Sequence, residues 1–432
     1  MLNIIWLFML VVSVLLAGAT SRLPAVAESV VKSGETAVTL ALGLIGIMSV
    51  WLGMMRLAEK AGLIQSLSCA LRPVLRWLFP EVPRDHPAMG AIVMNIAANM
   101  LGLSNAATPL GLRAMQELEK LNTRPGVATN AMCTFLAINT SSVQLIPITA
   151  IGILAAAGAL QPQFIIGTAL LATACSTVAG IVSVKILERL PVFRLSSDHI
   201  TPSHEQRPTA DGEKVATLTP WKKWHWVVIL ALMTCFAIFW TNLIGSQSTP
   251  KGDLFPRIIN AFSILAVPFL LTLFPICGWL RGLKVYEEFV EGAKEGFHVA
   301  IRIIPFLVAM LLAIGMFRAA GGIDLIADWT RPALQFLHFP TELLPISLMR
   351  PLSGSGSLAL FSELVKQHGP DSLIARTAGT LYGSTETTFY VLAIYFGSVS
   401  IRRTRHALPA GLIADGVGII ASIAICRWLM PL

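Results

Sequence analysis

The sequence predicts an all-α polytopic membrane protein made of two inverted structural repeats with re-entrant hairpins and broken helices. Three observations carry this. Of 432 residues, 55% are hydrophobic and only 13% charged, with a mean hydropathy of +0.71; a soluble domain carries about 25% charged residues. Apolar runs recur at 3–20, 36–55, 143–158, 163–187, 224–244, 257–280, 303–317, 387–398 and 408–426, and most approach the roughly 20 residues that a helix needs to cross about 30 Å of hydrocarbon. Finally, the chain repeats itself: "WLGMMRLAEKAGLIQSLSCALRPVLRWLFP" at 51–80 is echoed by "AIGMFRAAGGIDLIADWTRPALQFLHFP" at 313–340.

The elements follow in order. The opening "MLNIIWLFMLVVSVLLAGATSR" ends in small residues like a cleavable leader, but no positive charge precedes the apolar run. It reads as a first transmembrane helix, with cleavage as the alternative. In the echoed stretches Gly53, Met54 and Arg56 match Gly315, Met316 and Arg318, while Arg72, Pro73 and Pro80 match Arg331, Pro332 and Pro340. Segments 61–79 and 322–338 set charges among apolar residues and are expected to lie as amphipathic helices on the two interfaces. Each half then has a short apolar stretch broken by small polar residues, "NIAANMLGLSNAATPLG" (95–111) and "MRPLSGSGSLALFSEL" (349–364). Next comes a helix broken in its middle, "FLAINTSSVQLIPI" (135–148) and "TLYGSTETTFYVLAI" (380–394), and then a closing apolar helix, 163–188 and 406–430. The repeats are therefore 1–188 and, with a connecting helix, 223–432. The intervening 189–222, polar and rich in Ser, Thr and Pro, reads as a solvated linker, with a small ordered cap as the alternative.

Charge placement sets the orientation. If 87–120 enters and leaves on one side, nearly all Lys and Arg clusters fall on the cytoplasmic side and the second repeat starts inverted. If 87–120 crosses instead, the halves become parallel; the hairpin is preferred. The net charge of +8 thus reflects cytoplasmic loops and not nucleic-acid binding. No Walker A, CxxC or glycine-rich dinucleotide loop occurs, the six cysteines are scattered and the eight histidines lack ligand spacing. These features argue against ATP-driven transport, metal and cofactor chemistry, and enzymatic activity in general.

Broken helices in a membrane need a polar cavity or protein around the unwound backbone, and paired breaks in inverted repeats are a sign of a secondary transporter's site. Glu386 lies about 20 Å along a helix counted from residue 373, hence mid-membrane. A carboxylate there is costly and is expected to carry a proton, a cation or a substrate donor; packing the break as a neutral acid is the alternative. Ser384, Thr385, Thr387 and Thr388 flank it. The matching break offers Asn139, Thr140, Ser141, Ser142 and Gln144. At one hairpin tip, Ser353, Gly354, Ser355, Gly356 and Ser357 free backbone N–H groups for an anion or simply make a tight turn before a helix near Leu358. The other tip offers Asn95, Asn99, Ser104, Asn105 and Thr108. Arg350 either balances Glu386, binds an anionic substrate or snorkels, and Asp415, about 10 Å into the last helix, is a candidate proton or ion site.

The first half, through "NIAANMLGLSNAATPLG", resembles spore maturation protein A. The second, through "PLSGSGSLALF" and "YGSTETTFYVLAIYFGSV", resembles spore maturation protein B. Both belong to the nucleoside-recognition, or Gate-domain, group, and the chain looks like a fusion of the two. That group is similar in architecture to concentrative nucleoside transporters, which implies that the two tips and two breaks face a shared substrate and ion site. The expected function is inner-membrane secondary transport of a small polar organic solute, a nucleoside, amino acid or related carboxylate. Alternating access would be coupled to H⁺ or Na⁺. The alternative is a non-transporting membrane factor that senses a ligand or assembles envelope enzymes. The expected partners are membrane lipids and the solute, with homo-oligomerisation left open.

Overall fold

The computed structural model describes residues 2–83, 86–101, 104–193, 222–245, 254–322, 325 and 339–429. The first repeat runs α1 (Leu2–Ala19), α2 (Leu23–Lys60), α3 (Leu63–Leu78), the hairpin arms α4 (Pro87–Met100) and α5 (Ser104–Lys120), the broken pair α6 (Asn130–Ser141) and α7 (Ile148–Ala156), and α8 (Ile165–Leu187). Helices α9 (Lys223–Gly245) and α10 (Leu254–Leu280) connect it to α11 (Val285–Ala319). The second hairpin has arms α12 (Leu344–Met349) and α13 (Gly354–His368), followed by the broken pair α14 (Leu373–Ser384) and α15 (Thr388–Ser398), and α16 (Ala407–Leu429). Almost all of the interfacial helix expected at 322–338, and the centre of the expected linker at 194–221, lie outside the described residues. Among the described residues, four helices are long and apolar enough to cross a membrane: Pro162–Leu187, Lys223–Gly245, Arg257–Leu280 and Ala407–Leu429. The chain is a multi-pass membrane protein.

Three elements differ from expectation. The apolar runs 36–55 and 303–317 lie inside single helices of 38 and 35 residues, about 57 and 52 Å long at 1.5 Å per residue and longer than the hydrocarbon is thick. Nothing breaks them beyond the apolar run: α2 has its proline in the first turn, and α11 begins with Glu287 and Glu288, which suit a helix N-terminus. Helix α13 starts at Gly354 and not near Leu358, because the Ser353 hydroxyl accepts from the Gly356 amide at 3.0 Å and caps it there.

The halves are inverted. Around α2 and α11, Gly53 packs on Phe289, Gly292 on the Leu52 carbonyl and Gly296 on Ser49, so the helices run antiparallel. Gly315 matches Gly53 at a shift of 262 positions (315 less 53). The same shift turns the Gly53–Gly292 contact into residue 30 against Gly315, and Gly315 indeed faces Ser29 and Ser33. Polar ties at the two ends agree. Where α6 begins, Ala128 N–H donates to the Arg403 carbonyl at 3.0 Å, just past the end of α15. Where α7 has ended, Leu160 N–H donates to Asp371 at 3.1 Å, just before α14 begins. The two broken helices therefore run in opposite directions. The closing helices α8 and α16 also cross antiparallel, with Gly180 on Ala414, Gly418 on Ser176, and the Ser176 hydroxyl donating to the Ala414 carbonyl at 2.8 Å.

Hairpin arm α4 has 14 residues, about 21 Å, too short to cross. It folds back on α5, with the Asn95 amide donating to the Ala107 carbonyl at 2.7 Å. Helix α3 is amphipathic: Ile64, Ser68, Leu75 and Leu78 are buried, whereas Val74 and Trp77 are exposed.

The α2–α11 seam depends on small residues. A side chain at Gly296 would begin 2.5 Å from Ser49 backbone atoms, and both sides are helix. Gly296→Val is expected to cost about 1–3 kcal/mol by overpacking, read as a lower Tm of the detergent-solubilised protein. Gly416→Ala, whose added carbon meets nothing within 4 Å, is expected to be neutral or stabilising by up to about 1 kcal/mol.

Candidate functional site

Arms α6 and α14 each run 12 residues before they break, about 18 Å. The breaks meet each other. At the first, Ser142 takes φ 24 and the chain stays unwound to Pro147; at the second, Thr385 to Thr387 are extended or irregular. Such backbone leaves carbonyls and amides that hydrocarbon cannot satisfy. One bond crosses between the repeats and the others lie within a repeat. The Glu386 N–H donates to the Thr140 carbonyl at 2.7 Å, and the Thr173 hydroxyl reaches the Ser141 and Ser142 carbonyls at 2.9 and 2.7 Å. The hairpin tips do the same job in parallel fashion: Leu145 N–H donates to Met100 O at 3.0 Å, and Phe389 N–H to Pro351 O at 3.0 Å. Arg350 donates to the Thr385 carbonyl.

Beside this crossing lies a cavity of about 230 Å³ lined by Asn99, Thr108, Asn139, Glu386, Tyr390, Val391, Ile394 and Tyr395. Glu386 is half-buried, and one of its oxygens accepts from the Gln144 amide of the opposite break at 3.0 Å. The Asn99 amide donates to the Asn139 side-chain oxygen at 2.9 Å, and Asn139 in turn donates to the Phe135 carbonyl at 2.9 Å. Asn95, fully buried behind the wall, reaches the Tyr395 hydroxyl at 3.4 Å. Among the described residues, no Lys, Arg or His lines this cavity.

Behind the second break is a separate, sealed polar layer. Asp415 is 1% exposed and accepts from the Thr388 hydroxyl at 2.5 Å. The buried Thr385 hydroxyl stands beside the same carboxyl. Arg350, 3% exposed, lies 4.5 Å from the Tyr382 ring centroid and is in electrostatic reach of Asp415. It is buried here and does not snorkel to an interface.

The remaining sequence-predicted residues hold the frame. The Ser357 hydroxyl donates to the Ser353 carbonyl at 2.8 Å, and the hydroxyls of Ser353 and Ser355 are 3.3 Å apart, so this tip spends its polar groups on its own turn. Gly354 packs beside the Thr387 hydroxyl, where a side chain would begin at 3.1 Å. Ser384 donates to Leu381 O at 2.8 Å, and Ser141 to Ile138 O at 3.1 Å; Ser142 is buried. Ser104 and Asn105 open α5, with their side chains outside the described residues.

Sequence reasoning overlooked Thr173 and the α15 wall of Tyr390, Val391, Ile394 and Tyr395. A signal existed: of only four tyrosines in the chain, Tyr382, Tyr390 and Tyr395 fall within the broken segment.

The Thr173 hydroxyl satisfies break carbonyls that are otherwise buried. Thr173→Val is expected to lower stability by about 1–3 kcal/mol, the cost of an unsatisfied buried group, measured by detergent thermal melts. Thr234→Val, which removes an exposed hydroxyl bonded within its own helix, is expected to change little.

A family model described as nucleoside recognition (Gate) matches residues 41–157 and 300–402. These stretches contain both hairpin tips and both breaks. Spore maturation protein B of Bacillus subtilis (strain 168) is 44% identical over 173 residues, covering 40% of this chain and 97% of that protein. Spore maturation protein A of the same organism is 43% identical over 182 residues, covering 42% of this chain and 93% of that protein. Each relative is matched nearly whole by less than half of the chain, as a fusion of two such units requires. With two inverted units meeting at paired helix breaks, the chain belongs to the nucleoside-recognition (Gate) family.

Proposed function

We propose that the protein is a secondary transporter of the bacterial inner membrane that moves a small polar organic solute by alternating access. Coupling to H⁺ or Na⁺ would run through Glu386. One observation carries the reading: the Glu386 carboxylate, with no cationic side chain paired to it among the described residues, stands at the crossing of two unwound segments and faces a polar cavity. An intramembrane ionisable group in such a place marks a solute or ion pathway. The family's description as nucleoside recognition supports a nucleoside, and the hydrogen-bonding wall suits an amino acid on size and polarity. The cavity is smaller than the roughly 300–1,000 Å³ of drug-sized sites, which supports a small passenger. The hairpins and broken helices form the moving unit in this scheme. The α2–α11 pair, locked by glycine contacts and the Arg56–Glu288 ion pair at 2.8 Å, is the scaffold.

Counterflow in proteoliposomes tests the reading: labelled solute is expected to exchange across the bilayer. Binding with no exchange would instead identify a ligand-sensing membrane factor. Glu386→Gln is expected to abolish ion-driven accumulation, by tenfold or more, while the melting profile stays that of a folded protein. Accumulation with unchanged pH and Na⁺ dependence would remove Glu386 from coupling. For topology, a cysteine replacing Arg207 is expected to resist impermeant thiol reagents in intact cells, and efficient labelling would place the linker outside.

A further inference from the structure

Glu386 stands at the crossing without a basic partner among the described residues. Two carboxyls stand there, Asp415 and Glu386, and one guanidinium, Arg350. Arg350 is committed to the sealed layer: it donates to the Thr385 carbonyl, lies over Tyr382 and faces Asp415. Glu386 is left with a single neutral amide partner, Gln144. Among its neighbours, α4 to α7 contribute only uncharged Asn99, Thr108, Asn139 and Gln144. Its own broken helix contributes the phenols of Tyr382, Tyr390 and Tyr395, and α16 contributes Asp415. Glu386 therefore faces the cavity with no cationic side chain paired to it among the described residues, and a carboxyl so placed can take a cation or a proton as its partner.

We infer that the cavity takes a small organic cation, a protonated amine, and that this cation and a proton compete for Glu386. The wall suits it. One carboxylate oxygen has no hydrogen-bond partner among the described residues, while tyrosine rings offer faces that attract a cation and hydroxyls that accept from N–H. An anionic solute would meet the carboxylate with no basic side chain in the lining to offset it. The charge balance sets the exchange, which rests on the transport reading given above. Protonated Glu386 releases H⁺ on one side and the carboxylate then takes R–NH₃⁺; on the other side the ammonium leaves and H⁺ returns. One positive charge replaces one positive charge, so a 1:1 exchange is electroneutral.

The test uses the purified full chain and three probes of equal size: n-butylammonium, butyrate and 1-butanol. Only n-butylammonium is expected to raise the Tm saturably. Its apparent affinity is expected to rise with pH from acid to neutral, since the competing proton is removed while the amine, with a pKa of about 10, stays charged. Glu386→Gln is expected to weaken it at least tenfold. Equal stabilisation by butyrate or 1-butanol overturns the inference, as does an ammonium effect that is absent, independent of pH, or undiminished in Glu386→Gln. The probe comparison in the unaltered protein decides the matter even if the variant does not fold. Ammonium binding that produces no proton-linked exchange in proteoliposomes would sink the transport reading and leave the cation site standing. Transport of neutral or anionic solutes with no ammonium binding would do the reverse.

Discussion

The structure depends on one constraint: backbone that leaves a helix inside a membrane must find its hydrogen bonds within the protein. Here the second break donates to the first, and each hairpin tip accepts from the break of its own repeat. The Glu386 amide closes onto the Thr140 carbonyl, and the two hairpin tips close onto the two breaks through Leu145 with Met100 and Phe389 with Pro351. Because the repeats are inverted, opposite ends of similar segments face one another, and donors meet acceptors. A parallel arrangement would set like ends together at the same level. The inversion and the breaks are thus one solution to one problem.

The cavity follows from that solution. Side chains at the breaks cannot continue the helical packing of their arms, so polar groups from both repeats gather around a space, with Glu386 and Gln144 meeting across it. The electrostatics separate into two layers. Arg350 and Asp415 sit in the dry layer behind the break, each under 5% exposed. Glu386 sits in the open layer without a basic partner. Burial makes Arg350 and Asp415 costly to leave without their hydrogen bonds to Thr385 and Thr388, which suits a fixed part of the frame, whereas Glu386 faces the cavity. Two acids that look alike in sequence therefore hold different positions in the molecule.

Much of this was legible in the sequence for physical reasons. Apolar length and low charge announce membrane helices directly. The matched Gly53 and Gly315 announce the repeat because close helix contacts admit only small residues. The polar clusters at 139–144 and 384–388 announce the breaks, since nothing else justifies hydroxyls and a carboxylate there. What sequence could not place were the partners. Which side of a break faces the cavity depends on how four half-helices cross, so Ser353 to Ser357 turned out to cap their own helix, and Arg350 and Asp415 fell behind the break. Tyr390, Val391, Ile394 and Tyr395 follow an ordinary helical pattern, and only the meeting of α15 with α4 to α6 makes them a wall. Helix ends were misjudged where a cap decides them, as at Ser353, or where no breaker stops a helix, as in α2 and α11.

The central claim is that water reaches the crossing of the two breaks. In a version of the chain with its own cysteines replaced, single cysteines at Asn99, Thr108 and Ile394 line the cavity, while one at Ile420, 66% exposed on the outer face of α16, faces lipid. Thiols react with charged methanethiosulfonate reagents as thiolates, which form only in water. The account predicts fast modification at the three lining positions and none at Ile420; inert lining positions would contradict it.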